Sequence, residues 1–385
     1  PGCNMAFRRS CLEAIGGFDP QFRVAGDDVD VCWRLQQQGW TLGFSPAAVV
    51  WHHRRDSVRA YLRQQKGYGR AEAMLEKKWP EKYNVAGHTT WSGRMYGRGV
   101  AYVRWRAGRI YHGRWGMAPF QSLYEPAPSF LESLPMMPEW YFLIVVLAVF
   151  STLSALWTPL RLAIPLLALA IGAPLGQAAR CAARARFTCP LGSPASELGL
   201  RVLIASLHLL QPMARLWGRM RHGLTLWRQH LVARCVLPRR WTADLWSRRC
   251  QGTEERLQSV EAALRTQGAL PQRGGDFDPW DLEVPVGLLG AARLWMAVEY
   301  HGDGRQLLRF RGSPRCSLSG LVLTMLFAGL SVYATYDQCW AVASVLGTAT
   351  LLLVGRTLQE CAVATAAFLA AIQTIERDEK RHQPV

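Results

Sequence analysis

The sequence predicts an α/β domain at the N-terminus, followed by transmembrane helical hairpins with a small soluble α+β region between them. Three observations support this fold class. Residues 1–86 alternate helical apolar spacing with short apolar runs. Long, nearly charge-free stretches then come in two pairs. The segment between the pairs carries one helical pattern and a run rich in strand-forming residues.

The composition indicates which kinds of partner the protein binds and whether its cellular compartment is reducing. Lys and Arg number 45 against 28 Asp and Glu, a net charge of +17, which fits nucleotide phosphates, nucleic acid or an anionic membrane surface. The 50% apolar content argues against disorder. The ten cysteines form no Cys-x-x-Cys pair, which favours a reducing compartment over a disulfide framework or zinc ribbon. Because the sequence opens without Met or a signal peptide, we expect a fragment whose start lies upstream.

Apolar spacing, glycine and proline define the elements of residues 1–86. In chain order, the predicted elements are a helix that contains residues 12–15, a helix over 27–38, two short buried strands over 40–44 and 47–51, and a helix from 58 to about 78. Gly16-Gly17 and Gly39 stop the first two helices, and Trp79-Pro80 ends the last.

Three carboxylates within four residues stand out in this basic chain. Asp27 follows Gly26 and is predicted to be the N-cap of its helix, whereas Asp30 stands four residues before Arg34 and is predicted to pair with it. Asp28 remains, at the first helical position, where the helix dipole favours an ionised carboxylate that accepts a proton. An alternative takes Asp28 and Asp30 as a metal-binding Asp-x-Asp, but that motif belongs at a strand end.

His52 ends the second predicted strand. An imidazole in that position is suited to a divalent metal or a phosphate, and the alternative is an ordinary polar strand-end residue. A single histidine does not make a metal site.

The helix over 58–78 contains Gly67 and Gly69, each of which costs about 1 kcal/mol relative to Ala in a helix interior. That cost indicates close packing of another helix, which we favour, or of a ligand. Gln64, Gln65 and Tyr68 offer hydrogen bonds and a ring to a sugar.

These residues together resemble the C-terminal half of a family 2, GT-A-type glycosyltransferase, over about residues 1–85. The matching elements, in order, are Gly2-Cys3-Asn4-Met5-Ala6-Phe7-Arg8-Arg9, Gly16-Gly17-Phe18-Asp19 with Phe22, Gly26-Asp27-Asp28-Val29-Asp30 with Trp33-Arg34-Leu35, and Ala48-Val49-Val50-Trp51-His52-His53. The fold class is then a partial GT-A domain ahead of the hairpins.

The resemblance implies roles for individual residues. Asp28, with Asp27 beside it, corresponds to the catalytic aspartate that deprotonates the acceptor hydroxyl, and the reaction inverts the anomeric centre. His52 corresponds to the histidine that completes Mg²⁺ or Mn²⁺ coordination on the sugar-nucleotide diphosphate. Acceptor contacts are expected at Asn4 and Trp33, and we add Gln64 and Tyr68 as acceptor-binding candidates.

Two departures from the family pattern qualify these roles. The family's nucleotide pocket and strand-end Asp-x-Asp have no counterpart here, so no nucleotide-binding residue is assigned and the fragment alone is expected to be inactive. Processive synthases carry Gln-x-x-Arg-Trp, whereas the nearest counterpart here is Gln64-Gln65-Lys66-Gly67-Tyr68. This favours the addition of one or a few sugars to a lipid-linked or cell-envelope acceptor.

The remaining sequence is divided by charge and hydropathy. The predicted regions are a basic, aromatic connector at the membrane surface (87–138), a transmembrane hairpin (139–178), a soluble region of unknown role (188–316), a second hairpin (317–356) and a cytoplasmic helical tail (357–385). The charge-free stretch Trp140–Trp157 is the first span, and Trp340–Val354 is the shortest of the four. The arginines and aromatics of the connector fit a bilayer collar, which we favour, or stacking on nucleic-acid bases.

Within 188–316 we predict a helix over Thr253–Gln267, stopped by Gly268, and a strand-rich stretch around 281–311.

The sequence therefore predicts an inverting glycosyltransferase of a bacterial-type inner membrane, multi-pass, with its catalytic part in the cytoplasm. Its expected partners are a nucleotide-sugar donor, a glycan or lipid-linked acceptor and the lipid bilayer, without nucleic acid; the oligomeric state is not indicated. One alternative is an inactive scaffold for polysaccharide synthesis or export. Another is a basic, membrane-anchored module that binds nucleic acid or lipid.

Overall fold

The computed structural model describes residues 2–43, 48–50, 56–84, 87–88, 134–185, 187, 193–228, 231, 236–275, 278–302 and 305–381. The chain divides into two compact units, Pro1–Thr225 and Leu226–Val385. This division lies inside the region 188–316, which the sequence predicts to be a single soluble piece. Each unit is described by itself.

The described part of the first unit is helical. Its α-helices are α1 (Arg9–Ala14), α2 (Asp27–Gln37), α3 (Val58–Lys78), α4 (Trp140–Leu153), α5 (Ala163–Ala183) and α6 (Pro194–Arg221), and its 3₁₀ turns are Pro80–Lys82, Leu134–Met136 and Thr158–Leu162. The predicted helices over 12–15, 27–38 and 58–78 are confirmed to within a few residues. Ser57 begins α3 by accepting a hydrogen bond from the backbone N–H of Ala60 at 3.3 Å.

The two predicted buried strands are wrong in their described parts. Residues 40–43 and 48–50 lie in no strand, and the side chains of Leu42, Val49 and Val50 are exposed. A strand is stable only when a neighbour pairs with its N–H and C=O groups, and the described residues of this unit contain no strand that does so. Residues 44–47 and 51 lie outside the described residues.

Helices α3 and α6 cross at two glycines. A Cβ on Gly69 would lie 2.1 Å from the carbonyl O of Arg215, and one on Gly218 would lie 2.2 Å from the carbonyl O of Lys66. The backbones therefore touch where neither helix carries a side chain. The close packing predicted for the glycine-bearing helix is confirmed, and another helix fills the space.

The apolar helices differ from the predicted spans. Helix α4 ends at Leu153, so the predicted first span to Trp157 is wrong: the chain turns at 154–157 and continues as a 3₁₀ turn that contains Pro159. Three described helical stretches are long and apolar enough to cross a membrane, namely Thr158–Ala183, Leu318–Tyr336 and Trp340–Arg381. The fourth predicted span, thought to be the shortest, belongs to a helix of 42 residues.

The second unit is a five-stranded sheet with helices packed on it. Its strands are β1 (Trp241–Ser247), β2 (Gln272–Arg273), β3 (Leu282–Pro285), β4 (Gly290–His301) and β5 (Arg305–Cys316), in the order β1-β5-β4-β3-β2 with every pair antiparallel. Its helices are α7 (Thr253–Thr266), α8 (Leu318–Tyr336) and α9 (Trp340–Arg381). The predicted helix at 253–267 and the strand-rich stretch are confirmed.

The core of this unit explains the length of α9. Leu294, Leu308 and Phe310 of the sheet are buried against Phe368 of α9 and Leu264 of α7. The C-terminal part of α9 is thus one wall of the core, and burial of its apolar face stabilises helix well beyond the span that hydropathy predicts.

The glycine crossing predicts opposite effects for two alanine substitutions in α6. Gly218→Ala should destabilise the first unit by roughly 1–3 kcal/mol or more, because its methyl group forces the α3 and α6 backbones apart. Gly199→Ala, whose Cβ would meet nothing within 4 Å, should leave stability unchanged or raise it by up to about 1 kcal/mol. Thermal unfolding of the detergent-solubilised protein measures both. Equal effects of the two substitutions would contradict the close crossing.

Candidate active site

The acidic helix α2 begins at Asp27, and Gly26 is its N-cap. Gly26 has a φ of +91°, and a Cβ there would lie 3.2 Å from the side chains of Leu75 and Phe22. Only glycine combines this left-handed backbone with such close packing. The prediction that Asp27 caps the helix is therefore wrong, because the tight approach to α3 requires glycine at the cap; Asp27 is the first helical residue and is half-buried.

Asp28 lies at the mouth of this helix beside the start of the chain. Its Oδ2 accepts a hydrogen bond from the backbone N–H of Gly2 at 3.0 Å, and its Oδ1 accepts one from the N–H of Val29 at 3.0 Å. Each carboxylate oxygen has two lone pairs, so each keeps acceptor capacity. The side chain is half-buried and lies at the positive end of the helix dipole.

The segment beside Asp28 also reaches the fourth element of the family pattern. The side-chain amide of Asn4 donates to the carbonyl O of Ala48 at 2.7 Å. Residues 2–4 thus contact both Asp28 and Ala48, and Ala48 precedes His52 by four residues. His52 itself lies outside the described residues, so its metal role stays a prediction.

Asp30 is fully buried, and its carboxylate contacts three neighbouring side chains. Its Oδ2 accepts from Nε of Arg34 at 2.8 Å, as the four-residue spacing predicts, and its Oδ1 lies 2.7 Å from Nζ of Lys78 and accepts from the indole N–H of Trp79 at 2.9 Å. Because the carboxylate is fully buried and paired on both oxygens, we interpret the residue as structural.

Lys78 joins the second element of the family pattern to the same cluster. Its Nζ lies 2.5 Å from Asp19, and this hydrogen bond, with the one from the backbone of Gln21, lowers the pKa of the Asp19 carboxyl. The loop after α1 is thereby attached to the end of α3 beside Asp30.

The structure places the other predicted acceptor-binding residues on helices α2 and α3. Trp33 packs edge-on against Trp79 and Tyr83, with ring centroids 5.9 and 6.3 Å away, in the small core of this unit. It follows Asp28 by five residues, so the two side chains leave the helix about 140° apart. Gln64 and Tyr68 are half-buried on α3, one turn apart. The structure joins Asn4 to the surroundings of Asp28, and it places Trp33 in the aromatic core.

Sequence spacing does not predict several contacts of this site. Gly2, the carbonyl of Ala48, Lys78 and Trp79 are 26 to 49 residues from the groups they contact. Only the fold brings them together.

The described residues do not supply a metal-ligand set. No group of three or more His, Cys, Asp and Glu side chains in this part of the chain is arranged to hold a metal ion. Cys32, one turn after Asp28, has a thiol pKa that burial and the charge of Asp28 raise, so a thiolate ligand is disfavoured there. The predicted Mg²⁺ or Mn²⁺ site therefore depends on His52 and on ligands outside this set.

A second buried cluster connects α3, α6 and the residue before α4. Arg219 is almost fully buried; its Nη1 donates to Glu139 at 2.6 Å, its Nη2 donates to the carbonyl O of Gly87 at 2.6 Å, and its Nε lies 3.6 Å from Glu72. The Nε2 of His88 lies 3.0 Å from the other oxygen of Glu139. Burial raises the pKa of Glu139, but the contacts with His88 and Arg219 outweigh this and lower it to about 2.

The segment that carries this site is similar to known glycosyltransferases. Residues 1–173 match the family model described as glycosyl transferase family group 2. The match agrees with the resemblance that the four sequence elements predict.

Similar proteins are also named glycosyltransferases. The pre-mycofactocin glycosyltransferase of Mycobacterium tuberculosis is 35% identical over 82 residues, which are 21% of this chain and 17% of the relative. A probable glycosyltransferase of Bacillus subtilis, YdaM, is 29% identical over 79 residues, 20% of this chain and 18% of its own. An N-acetylglucosaminyl-diphospho-decaprenol L-rhamnosyltransferase of Mycobacterium tuberculosis is 37% identical over 57 residues, 15% of this chain and 19% of its own.

The matches thus span less than a fifth of the length of these relatives. No solved structure matches the chain.

The low pKa of Glu139 predicts an acid-sensitive contribution to stability. Because folding lowers this pKa from 4.5 to about 2, Glu139 stabilises the folded state above pH 4.5, and the contribution disappears as the pH falls through 2. Glu139→Gln should remove up to about 3 kcal/mol at neutral pH, and its difference from the parent should shrink between pH 4.5 and 2.

Urea unfolding across this pH range measures the difference. Glu13→Gln, which breaks an exposed pair with Arg9, is the matched control and should show almost no such dependence. A difference between Glu139→Gln and the parent that does not vary with pH would refute the buried pair.

Proposed function

We propose that the first unit contributes the acceptor side of an inverting glycosyltransferase site. The reaction transfers a sugar from a nucleoside-diphosphate sugar to a hydroxyl of a lipid-linked or cell-envelope glycan. The observation that carries the proposal is the half-buried carboxylate of Asp28 at a helix N-terminus, held by the N–H groups of Gly2 and Val29.

Asp28 acts as the general base. Its carboxylate takes the proton from the acceptor hydroxyl as that oxygen attacks the anomeric carbon of the donor sugar. A carbon–oxygen bond forms to the acceptor while the bond to the nucleoside diphosphate breaks, and the diphosphate leaves with the bonding electrons. Attack opposite the leaving group inverts the anomeric configuration.

The contacts of the three carboxylates favour Asp28 as the base. Asp30 is fully buried and is held by Arg34, Lys78 and Trp79, so it has no access to an acceptor. Asp27 leaves the helix about 100° away from Asp28. Among the three, Asp28 is the one hydrogen-bonded to residues 2–4, where Asn4 offers a polar contact for an acceptor.

The acceptor class is inferred from the relatives and from the apolar helices. One relative is named for transfer to an N-acetylglucosaminyl-diphospho-decaprenol, a lipid-linked glycan. An acceptor with a long lipid stays in the bilayer, and the three long apolar helices would hold the enzyme beside it. We therefore place the protein in a bacterial inner membrane with the catalytic part in the cytoplasm, where nucleotide sugars are made.

The proposal also requires a binding site for the nucleotide-sugar donor and a divalent metal ion. A divalent ion, Mg²⁺ or Mn²⁺, would neutralise charge on the leaving diphosphate, and His52 is the ligand we assign to it. We assign no residue of this chain to the nucleotide pocket or to the remaining metal ligands of the GT-A fold.

Substitution of Asp28 tests the base. Asp28→Asn keeps the size of the side chain and its acceptor for the Gly2 N–H but removes its basicity, so sugar transfer should fall by a factor of about 10²–10⁴. Transfer of radiolabelled sugar to a lipid-linked acceptor is measured in membranes that contain this segment together with a donor-binding GT-A half. Undiminished transfer with intact folding would rule out Asp28 as the base.

Two neighbouring substitutions are controls. Asp27→Asn should retain most activity, whereas Asp30→Asn should lower the free energy of unfolding by about 3 kcal/mol, because Arg34 and Lys78 lose their buried partner. A loss of transfer in Asp28→Asn without a loss of stability separates chemistry from folding.

Substitution of His52 tests the metal ligand. His52→Ala should raise the Mg²⁺ or Mn²⁺ concentration needed for half-maximal transfer by roughly 10–100-fold, because one ligand is lost. His53→Ala, next to it, is the matched control. An unchanged metal titration in His52→Ala would assign the ion to other residues.

A further inference from the structure

We infer that one end of the sheet in the second unit is a bilayer-contact surface that binds anionic lipid headgroups. This inference rests on the membrane insertion of α8 and the N-terminal part of α9 that we propose above. The surface, here called the lipid-facing rim, consists of Trp227, Leu237, Arg239, Arg240 and Leu288.

The burial pattern of α9 sets the level of the membrane boundary. Leu351 and Leu352 are 72% and 69% exposed, whereas Glu360 and Phe368 are buried. The helix therefore passes from an apolar, unpacked surface into a protein core within about two turns. Helix α8 starts at the same level, because β5 ends at Cys316 and Ser317 caps α8.

Arg356 and Glu360 fix neighbouring segments at this boundary. Nη2 of Arg356 donates to the carbonyl O of Trp227 at 2.7 Å, and its Nε donates to Glu360 at 2.8 Å. The other oxygen of Glu360 accepts the backbone N–H groups of Leu289 and Gly290 at 2.9 and 2.8 Å. Trp227 and the turn between β3 and β4 are thus held where α9 emerges from the core.

The side chains held there have an apolar exposed surface. Trp227 is 55% exposed, and Leu288, at the tip of the turn, is 37% exposed. Tryptophan is favoured at the interface between hydrocarbon and water, and a leucine at a turn tip inserts its side chain among lipid tails without burying unpaired backbone. Trp227 and Leu288 therefore lie at the level of the lipid headgroups, as inferred from where α8 begins and α9 enters the protein core.

Charge at this end of the sheet comes from the residues before β1. Trp241 pairs with Gly312 in an antiparallel register, so β1 begins at the end of the sheet where β5 leads into α8. Arg239 and Arg240 are exposed there, and no carboxylate of the described residues forms an ion pair with them. Leu237, just before them, is 73% exposed.

Anionic lipid fits this combination of groups. Guanidinium groups bind phosphate oxygens through paired hydrogen bonds, and each basic residue near an anionic surface adds to the attraction. The exposed Trp227, Leu237 and Leu288 at the same end of the sheet fit acyl chains and not a nucleic-acid backbone.

The chain contains a matched control pair for the two arginines. Arg248 and Arg249 follow β1 at the opposite end of the same strand, and both are exposed. Arg239→Glu/Arg240→Glu and Arg248→Glu/Arg249→Glu therefore change the net charge by the same amount on the same sheet, at the boundary and away from it.

The experiment titrates phosphatidylglycerol or phosphatidylcholine into the detergent-solubilised full chain and follows its thermal unfolding. We expect Arg239→Glu/Arg240→Glu to weaken the apparent affinity for phosphatidylglycerol on the order of tenfold, whereas Arg248→Glu/Arg249→Glu changes it by less than about twofold. Phosphatidylcholine should not distinguish the variants. Unfolding without added lipid shows that both variants are folded.

The other outcomes overturn the inference in distinguishable ways. If both double variants weaken lipid binding equally, overall charge and not the rim is responsible. If Arg239→Glu/Arg240→Glu instead loses affinity for single-stranded RNA while its lipid titration is unchanged, nucleic acid is the partner. If alkaline carbonate releases the unmodified chain from membranes, the proposed membrane insertion fails and the rim with it. If the chain resists carbonate and neither variant differs from it, only the rim is wrong.

Discussion

The buried carboxylate of Asp30 is the interaction on which the first unit depends. It joins Arg34 of α2 to Lys78 and Trp79 at the end of α3, and Lys78 extends the cluster to Asp19. A buried charge is tolerated only when such partners surround it. The cluster therefore fixes the start of α2 relative to α3, and this position brings Asp28, two residues before Asp30, beside Gly2.

The same constraint recurs where helices meet. At the crossing of α3 and α6, Gly69 and Gly218 let the backbones touch, and Arg219 joins Glu72 of α3 to Glu139 before α4. In the second unit, Glu360 of α9 binds backbone N–H groups of a turn in the sheet. In each case a buried charged side chain forms hydrogen bonds or ion pairs with segments far apart in sequence. These contacts hold the packed segments in a single arrangement.

The family 2 match gives these contacts a functional meaning. The element that contains the proposed base is the helix start whose geometry needs Gly26, and the amide of Asn4 links residues 2–4 to Ala48, four residues before His52. Asp30 holds this helix in place, and Asp28, two residues earlier on the same helix, is the base that we propose.

The sequence by itself determined the helices α1 to α3 and the pairing of Asp30 with Arg34, because each depends on residues at most a few positions apart. The resemblance to family 2 follows from four short motifs and their order along the chain. The sequence did not determine the cap at Gly26, the placement of Trp33 in an aromatic core or the length of α9, because these depend on residues distant in the chain. Local spacing predicts which face of a helix is apolar, but only the tertiary structure decides what that face packs against.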